Sequence, residues 1–165
     1  MPLPAPGTKA IINTGPLIAC AIATDDWRIL TSCGLSLSVP TSVWMEIQNG
    51  PQGAPGRALQ LPPDIPICPI DEIPHHLSQT LDLGEASVIA LALQQQAPLV
   101  VIDELAGKRM ARLHGLQVTG SLGLLVCACR NNPSLHFDAC ATAMMSGGIH
   151  LSQRVLDHAR ALLCS

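Results

Sequence analysis

The segment from Gly84 to Ile102 constrains the fold more than any other part of the sequence. Gly84–Gln96 predicts a helix that is apolar nearly all round, and Pro98 ends it. Leu99–Ile102 reads Leu-Val-Val-Ile, a run typical of a strand that is buried on both faces. A helix and a strand of this kind belong at the centre of a layered α/β domain.

The same alternation of strand and helix runs through the chain. Strands are predicted at Ala10–Ile12, Leu35–Val39, Ile65–Ile70, Leu99–Ile102 and Gln117–Thr119. Helices are predicted after Pro16 and at Thr41–Gln48, Leu77–Leu81, Gly84–Gln96, Glu104–Leu113, Leu122–Arg130, Asp138–Met145 and Ser152–Leu163. Strands that alternate with helices predict a parallel sheet covered by helices on both faces.

We expect residues 1–165 to form a single domain, with residues 1–8 as a loose leader. Residues 50–74 contain 7 of the 14 prolines and 3 of the 13 glycines. That composition predicts a loop, and the two prolines inside Ile65–Ile70 confine this short strand to the edge of the sheet.

The charge content excludes several classes of protein. Charged residues make up 13% of the chain, against about 25% in a typical soluble domain. The chain is too apolar for disorder and lacks the charged heptads of a coiled coil. A net charge of −3 argues against nucleic-acid binding through a broad basic surface.

The cysteines and the apolar runs indicate the compartment. The seven cysteines are an odd number, form no CxxC pair and lie mostly in apolar runs, as free thiols do in a reducing environment. No apolar run approaches the roughly 20 residues of a membrane-spanning helix, and no signal peptide is predicted. We therefore expect a soluble cytoplasmic protein without membrane partners.

Polar residues collect where the predicted strands end, which is where parallel sheets bind ligands. Asn13 follows the first strand, and Asp103 follows the Leu-Val-Val-Ile strand with Glu104 behind it. Glu85 lies in the first turn of the central helix, and Glu46 lies on an earlier helix. Clustered carboxylates repel unless a cation neutralises them, so we expect a hard divalent ion such as Mg²⁺. Such an ion could polarise a phosphoryl oxygen and help to activate a water molecule.

Four short motifs in this region carry a family resemblance. They occur in order over residues 10–130: Ile12-Asn13-Thr14-Gly15-Pro16-Leu17-Ile18, then Ser42–Ile47, then Leu83–Ala92, then Val101–Glu104 with Arg109–Ala111 and Val118–Leu125. The chain resembles the PIN-domain superfamily, the fold of VapC-type toxin ribonucleases. It is most similar to an uncharacterised prokaryotic subgroup that opens with Asn/Asp-Thr-Ser-Pro-Leu-Ile.

The resemblance implies a three-layer α/β/α fold with a central, mostly parallel five-stranded sheet. It also implies a ribonuclease or single-strand nuclease that depends on Mg²⁺ or Mn²⁺. By motif position, Asn13, Glu46, Glu85 and Asp103 correspond to the four metal-binding residues, and Glu46, Glu85 and Asp103 to the catalytic acids. Two positions depart from the pattern: Asn13 stands where these nucleases usually have Asp, and Gly15 replaces the usual Ser.

Each candidate residue also has a structural alternative. For Asn13 the alternative is a cap of the following helix, and for Asp103 it is a cap of the helix Glu104–Leu113. For Glu85 the alternative is an acid that complements a helix dipole, and for Glu46 it is a residue on a solvated helix face.

One basic cluster offers contacts for substrate phosphates. Arg109 and Arg112 are three residues apart and share a helix face, with Lys108 beside them. We expect Arg109, Arg112 and the polar Ser121 to contact the substrate, while a solvated helix face is the alternative for the cations.

Other motifs are weaker. His75 and His76 are adjacent and point in different directions, which argues against a zinc site. No serine has a GxSxG context, which argues against a serine hydrolase. Met144, Met145, Leu151, Val155 and Leu162 are apolar positions that favour packing or a homodimer contact.

Two functions follow from the sequence. The first is a metal-dependent phosphodiesterase acting on RNA, and one form of it is the toxin of a toxin–antitoxin pair with an antitoxin protein as its partner. The second is a catalytically weakened PIN-like module that binds RNA or a protein without cleavage.

Overall fold

Five parallel strands form the core of the molecule. The computed structural model describes residues 3–163, and the strands are β1 (Lys9–Ile12), β2 (Ser36–Pro40), β3 (Ile67–Cys68), β4 (Leu99–Val101) and β5 (Gln117–Thr119). They pair in the order β3-β2-β1-β4-β5, and every pair is parallel. The prediction of a five-stranded parallel sheet within a layered α/β/α fold is confirmed.

Helices cover both faces of this sheet. They are α1 (Thr14–Thr24), α2 (Arg28–Ser32), α3 (Thr41–Asn49), α4 (His75–Ser78), α5 (Leu83–Gln94), α6 (Leu105–Leu113), α7 (Ser121–Asn131), α8 (Phe137–Ser146) and α9 (Gln153–Leu163). Among the helices of residues 3–163, none combines the length and apolar character that a membrane crossing requires.

The central helix is buried as its composition predicts. On α5 every residue from Gly84 to Ala92 is buried, and the helix packs against β1, β2 and β4. Strand β4 is buried along its whole length. An apolar helix and an apolar strand thus exclude water from the middle of the molecule. The polar side chains of this region lie at the ends of the strands.

Two local features differ from the sequence prediction. Helix α2 was not predicted, because its five residues, of which Ile29 and Leu30 are buried, are too few to show a helical period. Strand β3 was predicted over six residues and has two. Pro66 and Pro69 flank it and cannot donate to a strand ladder, so β3 is a short edge strand beside β2.

The thiols in the described part of the chain are free. They are Cys20, Cys33, Cys68, Cys127, Cys129 and Cys140, while Cys164 lies outside the described residues. Burial raises the pKa of the Cys33 and Cys129 thiols to about 11. These two thiols therefore stay protonated at neutral pH, as expected of small buried hydrophobes.

The burial of α5 predicts that two leucines of this helix contribute differently to the stability of the protein. Leu91 is 0% exposed and Leu93 is 39% exposed. Leu91→Ala removes buried methyl groups and leaves a cavity, so we expect a loss of about 2–5 kcal/mol in the free energy of unfolding. Leu93→Ala, the matched control, should lose no more than about 1 kcal/mol. Urea denaturation followed by circular dichroism measures both, and equal losses would contradict the central position of α5.

Candidate functional site

The strand order places the site at the carboxyl ends of β1 and β4. From β1 the chain builds the sheet outward through β2 and β3, then crosses to the other side of β1 to form β4 and β5. The crevice at such a reversal is where open parallel sheets bind ligands. Asn13 follows β1, and Asp103 and Glu104 follow β4.

Asn13 has a buried side chain with one atom left unsatisfied. It is 4% exposed, and although it is the N-cap residue of α1, its side chain makes no capping hydrogen bond. Its Nδ2 lies 3.5 Å from Glu104 Oε2, while its Oδ1 is buried without any hydrogen-bond partner among the described residues. An unsatisfied buried acceptor destabilises the folded state by roughly 1–3 kcal/mol, so a ligand that contacts Oδ1 would relieve this penalty.

Carboxylate oxygens surround the same point, at Gly84. A methyl group on Gly84 would lie 2.9 Å from Asn13 Oδ1, 3.4 Å from Asp82 Oδ1 and 3.5 Å from Glu46 Oε2. The absence of a side chain at Gly84 therefore lets three oxygen atoms approach the same point of the backbone. Thr14 Oγ1 donates a hydrogen bond of 2.6 Å to Glu46 Oε2, which fixes the direction of that carboxylate.

Asp82 was not predicted as a site residue. It is the N-cap of α5, and its Oδ1 accepts a hydrogen bond of 2.8 Å from the backbone N–H of Glu85. The sequence did carry a signal, because an acid three residues before a glutamate, just ahead of an apolar helix, has the spacing of a capping box.

Glu85 is a buried acid in contact with α6. It is 4% exposed, and its Oε1 accepts a hydrogen bond of 2.9 Å from the backbone N–H of Gly107. A methyl group on Gly107 would lie 2.6 Å from that oxygen, so only glycine fits there without displacing the carboxylate. Burial raises the pKa of Glu85, and the negative charges of Asp82 and Glu104 raise it further.

The structure separates the two acids that follow β4. Glu104 faces Asn13 and lies against Gly15, where a methyl group would come within 3.0 Å of Glu104 Oε1. Asp103 accepts hydrogen bonds from the backbone N–H and the hydroxyl of Ser121, the first residue of α7. The alternative that Asp103 caps α6 is therefore wrong, because it caps α7 instead. We call Asn13, Glu46, Asp82, Glu85 and Glu104 the oxygen cluster.

The predicted substrate contacts occupy different environments. Ser121 is 2% exposed and both of its donors bind Asp103. Arg109 and Arg112 are exposed on α6, but only Arg112 lines a cavity together with Lys108 and Asp103. Their contact with a substrate remains a prediction.

The histidine pair of the sequence does not form a site. His76 Nε2 lies 3.2 Å from Nε2 of His114, at the end of α6, and the two rings stack. His75 is exposed and takes no part in this contact.

The oxygen cluster fits a hydrated divalent cation better than a fully coordinated one. Within residues 3–163, no three His, Cys, Asp or Glu side chains lie together so that they alone could hold a metal ion. The donors are an unsatisfied amide oxygen and carboxylates, which are the ligands that Mg²⁺ and Mn²⁺ prefer. Because Mg²⁺ keeps several water ligands, one or two carboxylates beside Asn13 Oδ1 are sufficient.

The raised pKa of Glu85 predicts how stability depends on pH. A raised pKa means that the ionised carboxylate is less favourable in the folded chain than in the unfolded chain. Stability is therefore lost as pH rises from the ordinary value of 4.5 through the raised pKa of Glu85. Glu85→Gln keeps an acceptor for Gly107 but cannot ionise. In EDTA, we expect a higher melting temperature than wild type at pH 7 and an equal one at pH 4.

The surface variant Glu72→Gln is the control, since it removes a charge from an exposed side chain. Thermal unfolding followed by circular dichroism measures all three proteins. If wild type has a higher melting temperature than Glu85→Gln at pH 7, burial does not destabilise the ionised Glu85 carboxylate, and the prediction is refuted.

The comparisons with known proteins agree with this geometry. The sequence model of the PIN-domain family DUF3368 matches residues 9–164, which contain every residue of the oxygen cluster. Neither the curated proteins nor the solved structures gave a match. A PIN domain is a nuclease-type module that generally uses divalent metal ions. The sequence, the strand order and the family match lead to one conclusion: this chain belongs to the PIN-domain family.

Proposed function

We propose that this PIN domain is a metal-dependent ribonuclease that hydrolyses phosphodiester bonds in RNA. The single observation that carries the proposal is the buried, unsatisfied Oδ1 of Asn13, which lies beside Gly84 among carboxylate oxygens. Buried polar atoms in folded proteins are mostly hydrogen-bonded, so an unpaired acceptor among carboxylates supports a ligand at this position.

The residues of the oxygen cluster have different roles in the proposed reaction. Asn13 Oδ1 and the carboxylates of Glu46 and Glu104 would hold Mg²⁺ or Mn²⁺, with Thr14 orienting Glu46. The ion, when bound, would polarise a phosphoryl oxygen and lower the pKa of a bound water molecule. Glu85, whose pKa is raised, is suited to accept a proton from the attacking water.

Asp103 has a separate place in the proposal. Its carboxylate is tied to the first turn of α7 through Ser121, and the next residue is Glu104. We propose that Asp103 holds the turn that directs Glu104 toward Asn13, so that it supports the metal site through its neighbour.

A non-cleaving module is the second candidate. The observation that favours it is the amide at position 13, which contributes an oxygen to the oxygen cluster but no negative charge. A weaker attraction for the cation would leave RNA or protein binding as the activity.

The proposal includes partners. An antitoxin protein would act by covering the oxygen cluster, and a second copy of the chain could pack against α8. Of the methionines offered by the sequence for a dimer contact, Met144 is fully buried and Met145 is 41% exposed, so such a contact would use Met145.

A cleavage assay tests the proposal. Labelled single-stranded RNA is incubated with the purified protein in Mn²⁺, and the initial rate is measured by gel electrophoresis. Glu85→Gln and Glu104→Gln should each lower the rate by roughly 100-fold or more, because proton transfer and metal binding are lost. Glu72→Gln, which changes an exposed glutamate elsewhere, is the matched control. Equal rates for wild type and Glu85→Gln would reveal a contaminating nuclease and refute the assignment.

The variant Asn13→Asp tests whether the side-chain oxygen of residue 13 is a metal ligand. It adds a charge beside Glu104, so we expect Mn²⁺ affinity to rise about tenfold and the metal-free melting temperature to fall. Titration calorimetry measures the affinity, and Gln52→Glu, in the exposed loop, controls for net charge. Unchanged Mn²⁺ binding would count against Asn13 as a ligand. Cleavage by Asn13→Asp alone would favour the non-cleaving candidate for the natural chain.

A further inference from the structure

A cavity of about 300 Å³ opens beside the oxygen cluster, between β5, α6, α7 and α9. Asp103 lines this cavity, whereas no member of the oxygen cluster does. Its volume is at the lower end for small-molecule sites, which suits one compact ligand. We refer to it as the β5 cavity.

The polar side of the β5 cavity favours an anion. Lys108 and Arg112 are four residues apart on α6, and both line the cavity together with His158 of α9. Neither the Lys108 nor the Arg112 side chain makes a hydrogen bond or an ion pair with any residue in the range 3–163. The one acid in the lining, Asp103, already accepts two hydrogen bonds from Ser121. The two cations outnumber this single acid, so this end of the cavity keeps a net positive charge.

The opposite side of the cavity is apolar. Leu122 and Val126 of α7 and Val155 of α9 form the walls, and Val155 is 48% exposed. A ligand that matches both sides carries an anionic group next to a flat or compact apolar body. A nucleotide has this form, with a phosphate at one end and a base at the other.

The position of the cavity connects it to the oxygen cluster. Asp103 and Glu104 are consecutive, so their Cα atoms are only about 3.8 Å apart. Glu104 faces Asn13, while Asp103 lines the cavity. A polynucleotide whose scissile phosphate lies at the oxygen cluster would thus bring an adjacent nucleotide to the cavity.

We propose that the β5 cavity binds one nucleotide of a single-stranded RNA substrate, adjacent to the scissile phosphate. Lys108 and Arg112 hold its phosphate, and the base packs against Leu122, Val126 and Val155. The proposal rests on the proposed ribonuclease function. It also explains how a chain with a net charge of −3 attracts RNA: the binding is local and involves one nucleotide.

The first experiment tests the phosphate contacts by binding alone. Fluorescence anisotropy of a labelled single-stranded oligoribonucleotide is measured in EDTA, where metal-dependent cleavage does not occur. Lys108→Ala and Arg112→Ala should each weaken binding several-fold and lower the slope of log K against log salt by about 0.7. Lys9→Ala, at the amino end of β1, is the charge-matched control.

The variant Arg109→Ala distinguishes RNA binding in the β5 cavity from RNA binding to the whole basic face of α6. Arg109 is on α6 but does not line the cavity, so its loss should weaken binding less than the loss of Arg112. Equal losses for Lys108→Ala, Arg109→Ala, Arg112→Ala and Lys9→Ala would overturn the proposal.

The second experiment tests the base contact. Adenosine 5′-monophosphate and inorganic phosphate are titrated into the protein by calorimetry. Val155→Phe places a ring at the cavity, while Ala161→Phe adds the same ring at an exposed position of α9 that does not line it. We expect the nucleotide to bind more tightly than phosphate, and Val155→Phe alone to lose at least fivefold in nucleotide affinity. Equal affinity for nucleotide and phosphate, or equal behaviour of both variants, would overturn the proposal.

The two proposals can fail separately. Cleavage of RNA in Mn²⁺ without a nucleotide contact in the cavity would refute this inference and leave the ribonuclease function intact. Nucleotide binding that requires Val155 and Arg112, without cleavage by any variant, would refute the ribonuclease function and retain the cavity.

Discussion

The structure depends on the complete burial of its central strands. The apolar residues of β1 and all of β4 are covered by helices on both faces, so polar side chains can leave the core only where these strands end. Because the sheet is parallel and reverses its order at β1 and β4, those ends meet at one crevice. A chain with 12 acids in 165 residues thereby brings five oxygen-bearing side chains to one place without a highly charged surface.

Two glycines maintain the oxygen cluster, because their backbone can approach its side-chain oxygens closely. Gly84 leaves room between Asn13, Asp82 and Glu46, and Gly107 leaves room for Glu85 while its own N–H binds that carboxylate. A side chain at Gly84 would displace the Asn13 amide, and one at Gly107 would displace the Glu85 carboxylate. Glycine in a helix interior is destabilising by roughly 0.5–1 kcal/mol relative to alanine. Gly107 therefore lowers the stability of α6, but it leaves the space that the Glu85 carboxylate occupies.

The sequence predicted the architecture, because apolar periodicity is a local pattern. It also proposed a candidate site where the strands end. It did not predict which acid after β4 contacts Asn13. Asp103 and Glu104 are adjacent, and successive side chains in extended backbone point in opposite directions. The choice depends on Ser121, which is distant in sequence and binds Asp103. Gly15, in the place of a usual Ser, gives Glu104 the space to face Asn13. Such pairings are tertiary, and no pattern within one motif encodes them.

The two-residue strand β3 has a consequence for the protein in concentrated solution. An open sheet edge presents unpaired N–H and C=O groups to which a strand of another molecule can add, and weak surface charge does little to prevent such stacking. Here the outer edge beside β2 is Ile67–Cys68 with a proline on either side, so an incoming strand finds too short a ladder to extend. At this edge, proline rather than charge limits the addition of another strand, in a chain with only 13% charged residues.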